Sequence, residues 1–257
     1  MIPRQDKVAW QVDHPWPEFD QVEQDLLLSQ AICAIANDEL LGSELALRGG
    51  TAFHKMFLPE PLRYSEDLDY VRSTEGGIGE IMRRLTDLGA ELGFRPSTKM
   101  GKFPKVLWKY KTEGGRPARI KVEINTFERS PMLGFDYVSH HIESPYCKAS
   151  AEVKTFKVEE LAATKLRALY QRSKGRDLFD LWLVLTALGT DPEAIIAAFP
   201  AYRPEGTSGQ MMKANLAAKL DDEEFVSDIK LLVRSDDLAY DPRAAAELVS
   251  SELFAML

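Results

Sequence analysis

The stretch Arg63-Tyr64-Ser65-Glu66-Asp67-Leu68-Asp69-Tyr70-Val71-Arg72 decides how this 257-residue chain is read. Charged and apolar residues alternate from Asp67 to Arg72, which is the period-2 pattern of a half-buried strand. Residues two apart on a strand point to one face, so the pattern sends Asp67 and Asp69 out together and turns Leu68 and Tyr70 to the core. Two clustered carboxylates repel unless a cation lies between them, and an oxygen-rich pair suits Mg²⁺ or Mn²⁺. A solvated strand end fits the same tripeptide, so the neighbouring segments must decide.

Upstream, 44–48 reads as a short strand closed by Gly49-Gly50. Thr51 then opens a helix with Phe53, Met56 and Phe57 on its apolar side, and Pro59 and Pro61 end it. Glycines let a backbone approach a phosphate closely, and the amides of a helix N-terminus face an anion, so Gly49, Gly50 and Thr51 are candidate nucleotide-binding residues. A tight turn explains the same residues. Downstream, 105–112 and 119–127 are strand candidates around Glu113-Gly114-Gly115-Arg116-Pro117, a hairpin signal. The second strand puts Lys121, Glu123 and Asn125 on one face. If it neighbours the Asp67 strand, Glu123 becomes a third carboxylate, and three carboxylates with substrate phosphates suit a two-metal displacement.

Helical periodicity at 17–37 and 79–93 flanks these strands, and 135–143 and 152–156 add further strand candidates. Beyond Val158 the pattern is helical: 159–172, 176–188, 191–199, 210–221, 223–233 and 242–256. Asp191-Pro192 and Asp241-Pro242 each supply an N-cap followed by proline at the first helical position. The expected fold class is α/β (α+β), with a mixed-sheet core and N-terminal helix over 1–150 and a helical C-terminal domain over 151–257. In the helical part Lys165, Leu169 and Arg172 share one face, and Asp177 and Asp180 lie three apart on the next helix. Basic groups there suit a triphosphate; a helix-to-helix turn with a dipole-favoured acid suits them too.

Composition narrows the function. The net charge of -8 excludes a protein that coats nucleic acid through a broad positive field. The charge is uneven, however: 95–121 holds nine Lys or Arg residues against one acid, Glu113, whereas 219–257 holds ten acids against four bases. The basic stretch interleaves Phe103, Trp108 and Tyr110, a pattern that tracks phosphates and stacks on bases, although Trp108 and Tyr110 on one strand face also suit a core. No run approaches the roughly 20 apolar residues of a membrane helix. The start lacks an apolar signal segment, and the expected location is cytoplasmic. Cys33 and Cys147 are expected as free thiols. His54 is expected to be structural or solvated, and His140-His141, facing opposite ways on a strand, form no shared metal site.

Leu47-Arg48-Gly49-Gly50-Thr51-Ala52-Phe53, then Arg63 to Tyr70, then Lys121-Val122-Glu123, then Lys165 and Arg176-Asp177-Leu178-Phe179-Asp180 resemble, in this order, the AbiEii/AbiGii toxin family of nucleotidyltransferases. The resemblance implies a DNA polymerase β-like nucleotidyltransferase core, with an NTP and Mg²⁺ (or Mn²⁺) as reactants. It implies an acceptor that is RNA, notably the tRNA 3′ end, and a separately encoded antitoxin protein that restrains a toxin. By position, Asp67 and Asp69 would bind metal, with Glu123 less securely as the third carboxylate. Gly49, Gly50, Thr51 and Ser65 would hold the triphosphate, Lys165 and Asp177 would complete the catalytic set, and Arg176 would bind nucleotide or, like Asp180, be structural. Two other classes share these residues: the same chemistry on a small molecule or protein acceptor, and a nucleotide-binding module without catalysis.

Overall fold

The computed structural model describes residues 2–60, 62–234 and 238–257. Pro61, expected to help end the helix after the glycines, lies outside them. Three helices, α1 (Arg4–Gln11), α2 (Phe19–Asn37) and α3 (Glu39–Glu44), precede β1 (Leu45–Arg48). The helix α4 (Gly49–Ala52) widens into a π turn, Phe53–Phe57, and stops at Leu58, just before Pro59. There follow β2 (Asp67–Arg72), α5 (Gly79–Glu91), β3 (Arg95–Lys99), β4 (Lys105–Lys111), β5 (Pro117–Asn125), β6 (Phe135–Glu143) and β7 (Lys148–Phe156). The helices α6 (Val158–Gln171), α7 (Gly175–Thr186), α8 (Pro192–Ala198), α9 (Gly209–Lys219), α10 (Glu223–Ser227) and α11 (Pro242–Glu252) complete the chain.

Among the described residues the strands form one seven-stranded mixed sheet in the order β3-β4-β5-β2-β1-β7-β6. The expected hairpin is β4 paired antiparallel with β5. β2 lies next to β5, in parallel, which is the neighbourhood on which the third-carboxylate expectation depended. β7 pairs in parallel with β1, and Thr155 Oγ1 donates to the Leu47 carbonyl at 2.7 Å. The sheet therefore runs through Ser150 to Phe156, and the helical part starts at Val158 rather than at 151.

Three elements were not expected from the sequence. α1 buries Lys7, whose ammonium meets Glu23 at 3.3 Å and Glu113 at 2.6 Å, so a charge stands where helical periodicity demands an apolar residue. α3 is only six residues long, capped at its N-terminus by the Asp38 side chain, which accepts from the Leu41 amide. β3 reads Arg-Pro-Ser-Thr-Lys and is the edge of the sheet, where polar residues and proline are tolerated. In the other direction, the helix expected over 223–233 stops at Ser227. The segment beyond turns back instead, so that Tyr64 donates to the Leu232 carbonyl and Arg234 donates to the Leu62 carbonyl.

Two apolar clusters hold these layers. The first packs Leu26 and Ile32 of α2 and Leu85 of α5 against Leu68, Tyr70, Val122, Ile124 and Val153 of the sheet. The second gathers Leu166, Leu178, Phe179, Phe199 and Val249 of the helical part around Phe53. Phe53 thus ties the turn after β1 to the helices. Cys33 and Cys147 are free thiols, as expected. Among the described residues no helix is long and apolar enough to cross a membrane.

Candidate active site

Register puts the carboxylates together. Arg48 lies opposite Asp69 across β1 and β2, and β2 sets Asp67 opposite Lys121 and Asp69 opposite Glu123 of β5. Leu68 and Tyr70 are buried on the other face, as alternation requires. Lys121 Nζ stands 2.9 Å from Asp67 Oδ2. Burial, and after it the Asp67 charge, push the Asp69 carboxyl above its ordinary range, while Lys121 and Arg48 offset this only in part. A carboxylate in that condition is stabilised by any added cation.

The glycine turn is shaped by this aspartate. Gly49 has φ +78°, a left-handed conformation, and a Cβ there would come within 2.8 Å of Asp69 Oδ2. A Cβ on Gly50 would come within 2.4 Å of Arg63 Nη2 and 3.2 Å of Ser65 Oγ. Thr51 Oγ1 donates to the Asp67 carbonyl and lies 2.9 Å from Ser65 Oγ. The Thr51 side chain therefore locks the turn onto β2, and Ser65 sits beside it.

Because β7 ends next to β1, the helix that follows, α6, begins beside the glycine turn and packs on α4. It delivers Lys165, which is 7% exposed, with Nζ 2.7 Å from Asp180 Oδ2 and 3.1 Å from Asp177 Oδ1. Arg172 grips Asp177 with two contacts of 2.6 and 2.8 Å. Asp180 is fully buried and also takes two bonds of 2.7 Å from Arg63 and one of 2.9 Å from His54 Nε2. Burial alone raises both aspartates. Arg63, Lys165 and His54 overcome it at Asp180, which lies well below the usual carboxylate range, and Lys165 with Arg172 overcome it at Asp177. Burial, and then the Arg63 charge, lower His54 to about 4, so it is a neutral donor and structural, one of the two expected roles. Between sheet and α6 lies a cleft of about 570 Å³, lined by Arg48, Gly49, Gly50 and Asp69 on one side and by Lys165, Arg167 and Arg172 on the other.

Carboxylates beside a glycine turn, with Asp69 faced across the cleft by Lys165, Arg167 and Arg172, can receive a phosphate-bearing substrate with a cation. The sequence profile of the family described as nucleotidyl transferase AbiEii toxin, type IV TA system, matches residues 30–247. The chain belongs to this family. Among solved structures, this AbiEii-family chain is similar to MenT4, a nucleotidyltransferase toxin from Mycobacterium tuberculosis H37Rv, over 97% of this chain and 99% of that one. The TM-score is 0.53 at 16% identity, a likeness of fold. An antigenic nucleotidyltransferase-like protein from Paracoccidioides brasiliensis overlaps 83% of this chain and 97% of its own, with 17% identity and a TM-score of 0.44. No curated protein matches the chain. The nucleotidyltransferase fold and enzyme class expected from the motifs are those of this family, whose members act as toxins in type IV toxin–antitoxin systems.

Not every residue of the AbiEii pattern points into the cleft. Glu123 is in register beside Asp69, but its carboxylate is taken up by Lys105 at 2.6 Å and lies 3.9 Å from Lys121. Among the described residues no three His, Cys, Asp or Glu side chains gather as a metal-binding group. Mg²⁺ is commonly held by one or two carboxylates plus substrate phosphates, so Asp67 and Asp69 with a bound triphosphate form a fitting donor set. Arg176 is bound by Asp228 through contacts of 2.9 and 2.9 Å, which ties α7 to the segment after α10. Asp177 reaches the cleft only through Lys165 and Arg172.

Trp108 is not available for stacking. It is fully buried, its Nε1 donates to the Leu85 carbonyl at 3.0 Å, and it lies so close to α5 that a Cβ on Gly89 would approach Nε1 to 2.3 Å. Tyr110 packs against Phe94 in the same layer. The core alternative for these two aromatics is the one realised. Of the aromatics in the basic stretch, Phe103 lines the cleft, together with Lys102. The motifs gave no site role to Glu128, which lines the cleft and pairs with Arg48 at 2.5 Å and with Arg167. An isolated glutamate after a strand carries no sequence signal. Arg48, adjoining the glycines, did carry one.

Proposed function

We propose that the enzyme moves a nucleoside monophosphate from an NTP onto a hydroxyl at an RNA 3′ end, that of tRNA, with Mg²⁺ or Mn²⁺. We also propose that it works in the cytoplasm as a toxin held in check by a cognate antitoxin. The observation that carries this reading is Asp69, its carboxyl raised by burial and by the neighbouring Asp67, next to a glycine turn and across a cleft from Lys165 and Arg172. The acceptor oxygen attacks the α-phosphorus, the bond to the α,β-bridging oxygen breaks, and pyrophosphate leaves while the hydroxyl proton passes to solvent. Asp67 and Asp69 would hold a divalent cation, which would supply positive charge to the reacting phosphoryl oxygens. The Gly49-Gly50 backbone and Ser65 let the triphosphate approach, and Arg48, Lys165 and Arg172 balance its charge. Lys165 and Arg172 are held by Asp177 and Asp180, and Arg48 by Glu128, before substrate arrives, so little reorganisation accompanies reaction. Incubation with each labelled NTP, Mg²⁺ and total cellular RNA tests the proposal. Label in the tRNA band supports it, and label on protein or small molecules alone refutes the RNA acceptor.

Two further outcomes are expected. Lys165→Ala should lower kcat by about 10²-fold or more, on the scale of losing one preorganised charge contact, without preventing cation binding at Asp67 and Asp69. The same change strands two buried carboxylates, so turnover should be read at a temperature where melting curves show the variant folded. Wild-type kinetics would confine Lys165 to holding α7. Separately, replacing Lys102, Lys105 and Lys109 with Ala should weaken tRNA binding, and each lost phosphate contact should reduce the slope of log K against log salt by roughly 0.7 to 0.9. Lys109 is exposed but Lys105 is engaged with Glu123, so the three contribute unequally. Unchanged affinity and slope would move the platform to the Arg167, Arg172 and Lys174 side.

A further inference from the structure

Phe127 is 64% exposed, an unusual position for a phenylalanine that stands next to a catalytic cleft. Its ring meets Phe103 edge to face, with centroids 6.1 Å apart, and Lys102 Nζ lies 5.4 Å from the Phe103 centroid and 6.0 Å from that of Phe127. Lys102 and Phe103 line the same cleft as Asp69. Hydrogen bonds hold the backbone at Phe127 and next to Phe103. The buried Asn125 side chain accepts from the Phe127 and Glu128 amides at 2.8 and 3.1 Å and donates to Glu128 Oε2 at 3.0 Å. On the other loop the Pro104 carbonyl accepts from the Ile124 amide at 2.9 Å. With Phe127 open to solvent, its amide held by Asn125 and an ammonium near both rings, a flat ligand stacks there at little cost in ordering.

We propose that Phe127, backed by Phe103 and Lys102, is a shelf on which an unpaired nucleobase of the nucleic-acid acceptor stacks, with Lys102 meeting the adjoining phosphate. This rests on the acceptor being RNA, as proposed above. Stacking on an aromatic face is tolerant of sequence, and an ammonium tracks the backbone, so the pair suits a single-stranded end. The openness of the shelf favours an acceptor strand that continues past the protein over the base of a free NTP, for which an enclosed pocket is the usual solution.

The test uses the full chain, a fluorescein-labelled single-stranded 12-mer RNA, and NTP binding by equilibrium dialysis. Phe127→Leu keeps an apolar side chain against Phe103 but removes the aromatic face, and it should weaken oligonucleotide binding by about fivefold to a hundredfold. Phe127→Tyr should restore binding, and NTP affinity should be unchanged in both, which also reports the fold. Phe127→Trp should bind with quenching of its emission. Oligonucleotide affinity unchanged in Phe127→Leu would overturn the shelf alone. A fall in NTP affinity with unchanged oligonucleotide affinity would assign the ring to the donor base and overturn the acceptor role. Failure of the unaltered chain to bind the RNA would overturn the RNA reading and the shelf with it.

Discussion

Asp69→Ala is expected to abolish measurable nucleotidyl transfer, a loss of about 10²- to 10³-fold or more, while leaving the sheet intact. Asp69 faces the cleft from β2, its neighbours Leu68 and Tyr70 carry the packing, and among the described residues no core side chain is hydrogen-bonded to its carboxylate. Stability should move the opposite way to activity. The folded-state pKa of Asp69 is raised, so at neutral pH its ionised form costs stability, and that cost disappears as pH falls through the folded pKa. In EDTA at pH 7, Asp69→Asn should therefore melt higher than the wild type, with the gap closing on acidification. Adding Mg²⁺ and NTP should stabilise the wild type more than the variant. Transfer at the wild-type rate, or an acid-insensitive gap, would count against a cation site at this position.

Asp180→Ala should be the most destabilising single change at the site, by about 3–5 kcal/mol, because it leaves Arg63 and Lys165 buried without their shared counter-charge. Its pH dependence has a definite sign. Folding depresses the Asp180 pKa below the unfolded value of about 3.9, so its stabilisation is complete at neutral pH and is lost as pH drops through the folded value. The difference between wild type and Asp180→Asn in urea melts should accordingly be large at pH 7 and shrink below about pH 4. A surface-sized loss, under about 0.5 kcal/mol, would show that the Arg63–Asp180–Lys165 network is not what joins the sheet to the helical part.

Much of the site was legible because it is written in short-range periodicity. A strand with period 2 puts Asp67 and Asp69 on one face whatever surrounds it, and a Gly-Gly before a helix marks a backbone turn that tolerates no side chain. The hairpin of β4 and β5 follows from its Gly/Pro punctuation in the same way. What had no local signature was missed or misassigned. β3 is polar because it is an edge, α1 is anchored by a buried lysine, and the expected helix over 223–233 was cut short by backbone pairing with 62–64.

Local pattern thus determined that the chain has a carboxylate-bearing strand, a glycine turn and a helical C-terminal part, and with the order of the motifs it pointed to the family. Tertiary structure alone decided which strands are neighbours, and so which charges meet. Parallel pairing of β2 with β5 brings Glu123 next to Asp69, yet Lys105 from a third strand claims its carboxylate. Lys165 and Asp180 are fifteen residues apart and on different helices, and Arg63 comes from more than a hundred residues away, yet the three close one buried network. Alternation tells which face of a strand a side chain takes, but an ion pair depends on separations of a few ångströms between distant segments. Coulombic attraction and desolvation at that range are set by packing, which no local pattern encodes.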